Sequence, residues 1–403
     1  MTPTIPPSVS SQPPASPSQT ALASFSNMFS VGSVYALSML HAELPRLLGT
    51  SQPWSFAPFT AACLGLSIGV SACASFMAIS GARVTAASGT ALWGSAVFGT
   101  GHFLARLNLE GILACLFLGG IGVGWTYLAV VVLVGQGFPR QPLARSAIGP
   151  LGFSSGTAAC ITLGSLYQFG SLSAEERGQF LKSGGILVIA IAAATMALLP
   201  VETDQSRLFS RPQSIRSNST IFFSALLFFN ALPGMMLFAA LLPIASHYRV
   251  HFDDSLNVLP CAMATLTLEG FLAPALSARL GARSTFIFLF CFRGLVLISF
   301  SQSAGAAMAL VALSTVLFAH GTGFSILPGL IKSQQSNATQ FPHAYGQVLA
   351  AWGAAGIVGT SFVAAFASSL DDLKTASFYT GLLVLSLGAA LRFMPSIGAH
   401  CLQ

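Results

Sequence analysis

Long apolar runs, each closed by a short polar or glycine-bearing segment, recur from residue 22 to residue 394. Each run is about 20 residues or more, enough to cross the roughly 30 Å hydrocarbon core of a bilayer as an α-helix. The runs fall at 22–44, 54–79, 84–105, 109–137, 145–168, 183–200, 219–246, 256–277, 284–301, 304–331, 347–369 and 375–394. The pattern predicts an all-α membrane protein of twelve transmembrane helices. The longest polar interruption in the middle, VETDQSRLFSRPQSIRSNST, divides them into a half over 21–200 and a half over 219–395, joined by a linker over 201–218. The segments outside, 1–20 and 396–403, read as tails. The first is rich in Pro and Ser and uncharged, a composition that favours disorder.

Composition narrows the class. Only 7% of the 403 residues are charged and 54% are hydrophobic, too few charges to cover a water-soluble surface. The net charge of +6 is spread between the apolar runs and predicts no nucleic-acid partner; the bilayer is the partner. Basic residues such as Arg83, Arg140, Arg145, Arg207, Arg283 and Lys332 favour the side that would hold the N-terminus, and acids such as Glu110, Glu175, Asp371 and Asp372 favour the other. Both termini are then expected to be cytoplasmic. A plasma membrane and an organelle membrane fit equally. The seven Cys lie mostly within apolar runs and lack a CxxC or Cys/His spacing, so neither disulfides nor a metal site is expected.

The two halves echo each other at about 200 residues. SGAR (Ser80–Arg83) follows the second run and LGARS (Leu280–Ser284) the eighth. GVGWTYLAV (Gly122–Val130) matches GTGFSILPG (Gly321–Gly329), and FPRQPLARSAIGPLGFSSG (Phe138–Gly156) matches FPHAYGQVLAAWGAAGIVG (Phe341–Gly359). Three echoes in one order indicate a duplicated six-helix unit, an organisation typical of secondary transporters. The small residues carry a second signal. Apolar burial cannot drive helices together in lipid, so close crossings need residues that let backbones approach. Gly152 and Gly156, with Gly353, Gly356 and Gly359, are candidate crossing positions. Trp352 is the single bulky residue beside them, a packing wedge or a cavity wall.

These motifs resemble the major facilitator superfamily, and within it the oxalate/formate antiporter and monocarboxylate transporter group. Gly119–Gly156 is similar to that group's glycine-rich fourth span, aromatic-Pro loop and small-residue fifth span. YGQVLAAWGAAGIVG (Tyr345–Gly359) is similar to its eleventh span, and NMFSVGSVYALSM (Asn27–Met39) with LLGTSQPWS (Leu47–Ser55) to its first span and outer loop. The resemblance implies the major facilitator fold, with two six-helix pseudo-repeats, and transport of a small carboxylate. It departs at Ala78 and Ala278, where the superfamily loops carry Asp, and at Gly270, where dicarboxylate carriers of the group have Arg. The eleventh span also lacks their Lys.

Few polar groups lie deep in the apolar runs. A charge at the bilayer centre costs about 2.5–3.5 kcal/mol on insertion scales, so each is a functional candidate. Glu269 and Arg293 lie about ten residues either side of the loop at Gly281, at matching depths of roughly 15 Å; a structural ion pair is expected first, a proton or substrate role for Glu269 second, and separate, locally solvated charges third. Tyr35, Tyr127, Asn230, His320 and Trp352 are the candidate substrate-binding residues, with packing roles as their alternative. His320 could supply positive charge to a carboxylate when protonated. No nucleotide loop, HExxH or nucleophile elbow is present, so neither an enzyme nor a cofactor is expected. The sequence therefore predicts a secondary carrier of a small organic solute, a monocarboxylate or related anion first. A neutral or amino-acid-like solute and a transport-inactive receptor or accessory protein remain as alternatives. A proton and a counter-transported anion both fit as the coupled partner.

Overall fold

The computed structural model describes residues 16–41, 44–49, 55–199, 218–247, 258–303, 305–335, 340–366 and 369–393. The tail before residue 16, the linker over 201–217 and the tail over 396–403 lie outside them. The described residues are helical or in turns, with no strand among them. The first crossing is α1 (Pro17–Gly32), continued by a 3-10 turn over Ser33–Leu37 and α2 (Ser38–His41); α3 (Leu44–Leu48) follows. Next come α4 (Ala57–Ala105), α5 (Leu109–Gly137), α6 (Pro142–Leu166) and α7 (Ala174–Leu198). The second set is α8 (Asn218–His247), α9 (Val258–Leu280), α10 (Ala282–Gln302), α11 (Ala306–Ser333), α12 (Phe341–Phe366) and α13 (Leu370–Phe393).

Eight of these helices are long and apolar enough, among the described residues, to cross a membrane, and α4 at 49 residues is long enough for two crossings. The chain is an integral, multi-pass membrane protein. Its outward faces carry large apolar side chains such as Ile79, Leu187, Phe271, Phe288 and Phe393, which suit lipid and not water.

α4 turns back at Gly81, whose φ of 82° and ψ of 163° lie outside the reach of most L-residues. Gly281, two hundred positions on, takes φ 80° and ψ 151° between α9 and α10. The echo in sequence is thus an echo in backbone conformation. The neighbours follow suit. Thr85 and Thr285 each donate to the carbonyl of their Gly, at 2.6 and 2.9 Å. Arg83 donates to the carbonyl of Met196 near the end of α7, and Arg283 to those of Leu391 and Arg392 at the end of α13. Each Arg thereby satisfies carbonyls that a helix end leaves without an intrahelical partner.

Four helices start five or more residues earlier than hydropathy predicts, α13 among them at Leu370, not 375, where Ser369 caps its first turn. α1 begins at Pro17, inside the segment read as a tail, because Ser16 and Gln19 form a capping box and Pro suits the first helical position. α7 begins at Ala174, not 183, under a second capping box from Ser173 and Glu176. Its first turns, AEERGQFLK, are helical but too polar to register as a span. α12 likewise starts at Phe341, ahead of its apolar run.

Helices meet at glycine pairs. Gly94 on α4 and Gly185 on α7 face each other's carbonyls, and Gly294 on α10 and Gly381 on α13 repeat the arrangement; an added Cβ at any of them would sit 2.6–2.9 Å from the opposite oxygen. On α6, a Cβ at Gly152 would lie 2.8 Å from the carbonyl oxygen of Phe25, and one at Gly156 would overlap that of Phe29 on α1. Gly156→Leu is therefore expected to collapse the yield of folded protein in detergent, whereas Leu187→Ala on the lipid face leaves it unchanged. Equal elution profiles for Gly156→Leu and the parent protein would contradict this.

Candidate functional site

The site is built where the two halves meet. The helix of the first crossing tightens to a 3-10 turn after Gly32, which is pressed against the Phe153 backbone, and this turn presents Tyr35 to the centre of the protein. A 3-10 segment within a longer helix is a common place for a functional hinge. The Tyr35 hydroxyl accepts a hydrogen bond from Trp352 Nε1 on α12 at 2.8 Å and is 2.7 Å from His320 Nε2 on α11. The other ring nitrogen of His320 is 3.3 Å from the carbonyl oxygen of Ala231. With the proton on Nδ1, every polar atom is satisfied: Nδ1 donates to Ala231, Tyr35 donates to Nε2, and Trp352 donates to Tyr35. The chain of bonds ties the first crossing to two helices of the other half.

Aromatic rings enclose this core. Tyr35 stacks on Phe238 with ring centroids 4.1 Å apart, and Trp352 meets Phe324, Tyr127 and Phe153 edge-on at 4.9, 5.2 and 5.5 Å. Between them lies a void of about 20 Å³, room for roughly one water molecule. The void is lined by Tyr35, Tyr127, His320, Trp352 and Glu269, so the structure brings four of the five candidate binding residues together with the candidate carboxylate. Glu269 on α9 is buried, accepts a 2.6 Å hydrogen bond from Ser325 Oγ, and lies against Gly321, where a Cβ would overlap its carboxylate. The hydroxyls of Tyr127 and Tyr345 are buried near each other, with no further hydrogen-bond partner among the described residues. In this conformation the centre is closed.

The seam above and below is also closed. Along α4 and α12, Thr60 and Thr360 share a hydrogen bond of 2.8 Å, and Ser67 donates to the Ala350 carbonyl at 3.0 Å. Gly353 abuts Ser67 and Cys63, Gly356 abuts Cys63 and Met235, and Gly346 faces the Val70 carbonyl. Gly353 and Gly356 thus pack one half against the other. A Cβ at Gly359 would lie 3.1 Å from the backbone nitrogen of Met236 on α8, so this glycine packs within its own half.

The arrangement matches solved structures. An inward-open structure of the xylose transporter XylE from E. coli superposes with a TM-score of 0.72 at 13% identity, over 93% of this chain and 96% of that one. A crystal structure of a D-xylose–proton symporter does so with a TM-score of 0.72 at 12% identity, over 94% and 98%. The chain has the major facilitator fold. No family model matches the sequence, and no curated protein matches it.

Within that fold two expectations need correction. Asn230 stands behind the void, not in its wall. Its Nδ2 donates to the His320 carbonyl at 2.8 Å, fastening α8 to α11. Glu269 and Arg293 do not pair. The partner of Glu269 is Ser325, while Arg293 donates to the carbonyls of Asn230 at 2.9 Å and Phe229 at 3.4 Å and lies 5.1 Å from the Phe290 ring centroid. The physical reason is Pro233 on α8, which has no N–H to give the carbonyl four residues before it. That carbonyl belongs to Phe229, and the guanidinium takes it. Arg293 occupies the place on α10 that Trp93 holds on α4, where Nε1 donates to Ser33 Oγ at 2.8 Å and to the Ser30 carbonyl at 3.1 Å. Each braces the central helix of its half.

Because the two charges have no shared partner, Glu269→Gln and Arg293→Gln are expected to be additive in thermal stability within about 0.5 kcal/mol. Arg293→Gln should carry most of the loss, about 1.5–3 kcal/mol for hydrogen bonds from a charged group. A double variant more stable than Arg293→Gln alone would restore the pair.

Sequence reasoning missed Phe153, Phe238, Phe324 and Ser325. Phe238 was within reach: it stands 203 residues after Tyr35, as Asn230 stands 203 after Asn27. Its stacking on Tyr35 is a contact between positions related by the repeat.

Proposed function

We propose that this protein is a secondary carrier that moves a small uncharged, hydroxyl-rich solute across a membrane by alternating access, with Glu269 coupling the movement to a proton. The observation that carries this reading is the makeup of the central void: aromatic walls, hydrogen-bonding hydroxyl and imidazole groups, one carboxylate, and no cationic side chain among its described lining residues. Aromatic faces suit the apolar faces of a sugar-like or polyol solute, and tyrosine, histidine and glutamate suit its hydroxyls. A carboxyl group inside a membrane protein is a common proton relay. The fold supports the transport class, since a small void between two pseudo-repeats is where such carriers bind solute. The structural neighbours named above are transporters of xylose, one of them coupled to protons.

An organic anion is the weaker reading of the same site. Arg293 is committed to α8 carbonyls, and both ring nitrogens of His320 are engaged by Tyr35 and Ala231. An arriving carboxylate would meet Glu269 without a counter-charge. The basic residues at the helix ends support an orientation with both termini in the cytoplasm.

Ligand-induced stabilisation in detergent tests the solute class. Neutral pentoses, hexoses and polyols at millimolar concentration are expected to raise the melting temperature, and lactate, formate and oxalate are expected to leave it unchanged. Stabilisation by the carboxylates alone would overturn the reading.

A further inference from the structure

A second cavity, of about 380 Å³, lies behind the 3-10 turn that carries Tyr35 and shares no lining residue with the central void. It is bounded by α1, α4, α5, α6 and α7, and its size falls in the range of about 300–1,000 Å³ typical of small-molecule sites. Its lining on α6 and α7, helices that make few contacts with each other, gives it a mouth between them. Leu163 and Leu187 at that mouth are 46% and 62% exposed, so it opens toward lipid. A Cβ at Gly184 would meet no atom within 4 Å. No charged side chain is among the described residues of the wall.

One buried hydroxyl in the wall lacks a partner. Thr100 is 1% exposed and its hydroxyl makes no hydrogen bond among the described residues. Ser30 and Ser33 are engaged: Ser30 donates to the Ser26 carbonyl at 2.9 Å, and Ser33 donates to the Ser30 carbonyl at 2.6 Å and accepts from Trp93 Nε1, while Ser183 lies on the exposed side. Apolar cavities of this kind exclude water and take apolar guests. A buried hydroxyl without a partner costs free energy that a matching acceptor recovers.

The geometry points to a binding site for a single-chain lipid drawn from the bilayer, its hydrocarbon chain filling the cavity and one uncharged oxygen accepting a hydrogen bond from Thr100. The absence of charge from the described wall argues against a phosphate headgroup. The single buried hydroxyl without a partner calls for one small polar group. The guest would press on Ser33, Ala36 and Leu37, the opposite face of the turn that holds Tyr35 in the central site.

Photolabelling in proteoliposomes tests this with two probes: a diazirine-bearing hexadecanol and a diazirine-bearing hexadecane. Both are expected to label peptides of α6 and α7 around Cys160 and Leu187 more strongly than the lipid-facing Phe288–Phe292 stretch of α10. Thr100→Val should weaken labelling by the alcohol about two- to tenfold, the worth of one hydrogen bond, and leave the hydrocarbon unchanged. Gly184→Phe adds a ring at a wall position whose Cβ would meet no atom within 4 Å, and should reduce both probes to the α10 level. Gly184→Leu serves the same purpose if the Phe variant is not monodisperse. Labelling of α6 and α7 no stronger than α10, or insensitive to either cavity-filling variant, would overturn the site. Equal alcohol labelling of Thr100→Val and the parent protein would overturn the role of Thr100.

Discussion

Proteoliposomes containing Glu269→Gln are expected to lose uphill, proton-driven uptake and to keep solute exchange across a membrane without a gradient. Glu269 is the carboxylate in the wall of the central void, and Gln preserves its shape and its acceptor for Ser325 Oγ. The carboxamide cannot take up and release a proton, so binding and rocking should survive while coupling fails. Accumulation against a gradient should fall to the level of protein-free liposomes, and exchange should stay within about twofold of the parent, as for a change that leaves uniform binding intact. Full uphill uptake by Glu269→Gln would move coupling to another residue. Loss of exchange together with uptake would make Glu269 a solute ligand first.

Tyr35→Phe is the second large effect. Removing one oxygen leaves Trp352 Nε1 and His320 Nε2 without the partner they share. An unsatisfied buried polar group costs about 1–3 kcal/mol. The bonds connect the 3-10 turn of the first crossing to α11 and α12, so they exist only when the halves close around the centre. Their loss should destabilise the closed state against open ones and shift that balance about tenfold or more toward open conformations. The variant should fold, bind solute more weakly and transport slowly. A Tyr35→Phe carrier with unaltered apparent affinity and rate would show that the bonded core is not part of the transport cycle.

The legible parts of this molecule are those that hydropathy and repetition encode. Helices in lipid must be long, apolar and internally hydrogen-bonded, which made the crossings readable to within a few residues. Among the helices that start early, α1 and α7 begin in polar turns whose capping residues outweigh hydropathy. The paired loops were readable because a positive φ calls for glycine, at Gly81 and Gly281. Tyr35, Tyr127, His320 and Trp352 stood out because polar and amphipathic side chains are scarce in this chain. Phe153 and Phe324 did not, since a phenylalanine in the site differs in no visible way from those that face lipid.

The Glu269–Arg293 pair shows where reading by depth stops. Sequence distance from Gly281 gives each residue its height along its helix, but pairing also depends on rotation about the helix axis. It depends too on competing acceptors, and Pro233 creates one by freeing the Phe229 carbonyl. That effect crosses from α8 to α10 and has no signature in either helix alone. The solute class shifted for a related reason. Motif resemblance favoured a carboxylate, whereas the assembled site holds an acid, aromatic rings and an imidazole with both nitrogens engaged.

Uphill transport in liposomes separates a proton-coupled carrier of neutral solutes from a carboxylate carrier. Purified protein in liposomes, with the outside held more acidic than the lumen, should accumulate a labelled neutral pentose or hexose above its external concentration. It should lose that accumulation when a protonophore collapses the gradient, and should not accumulate labelled lactate or oxalate. Accumulation of a carboxylate with no uptake of any neutral solute would contradict the account.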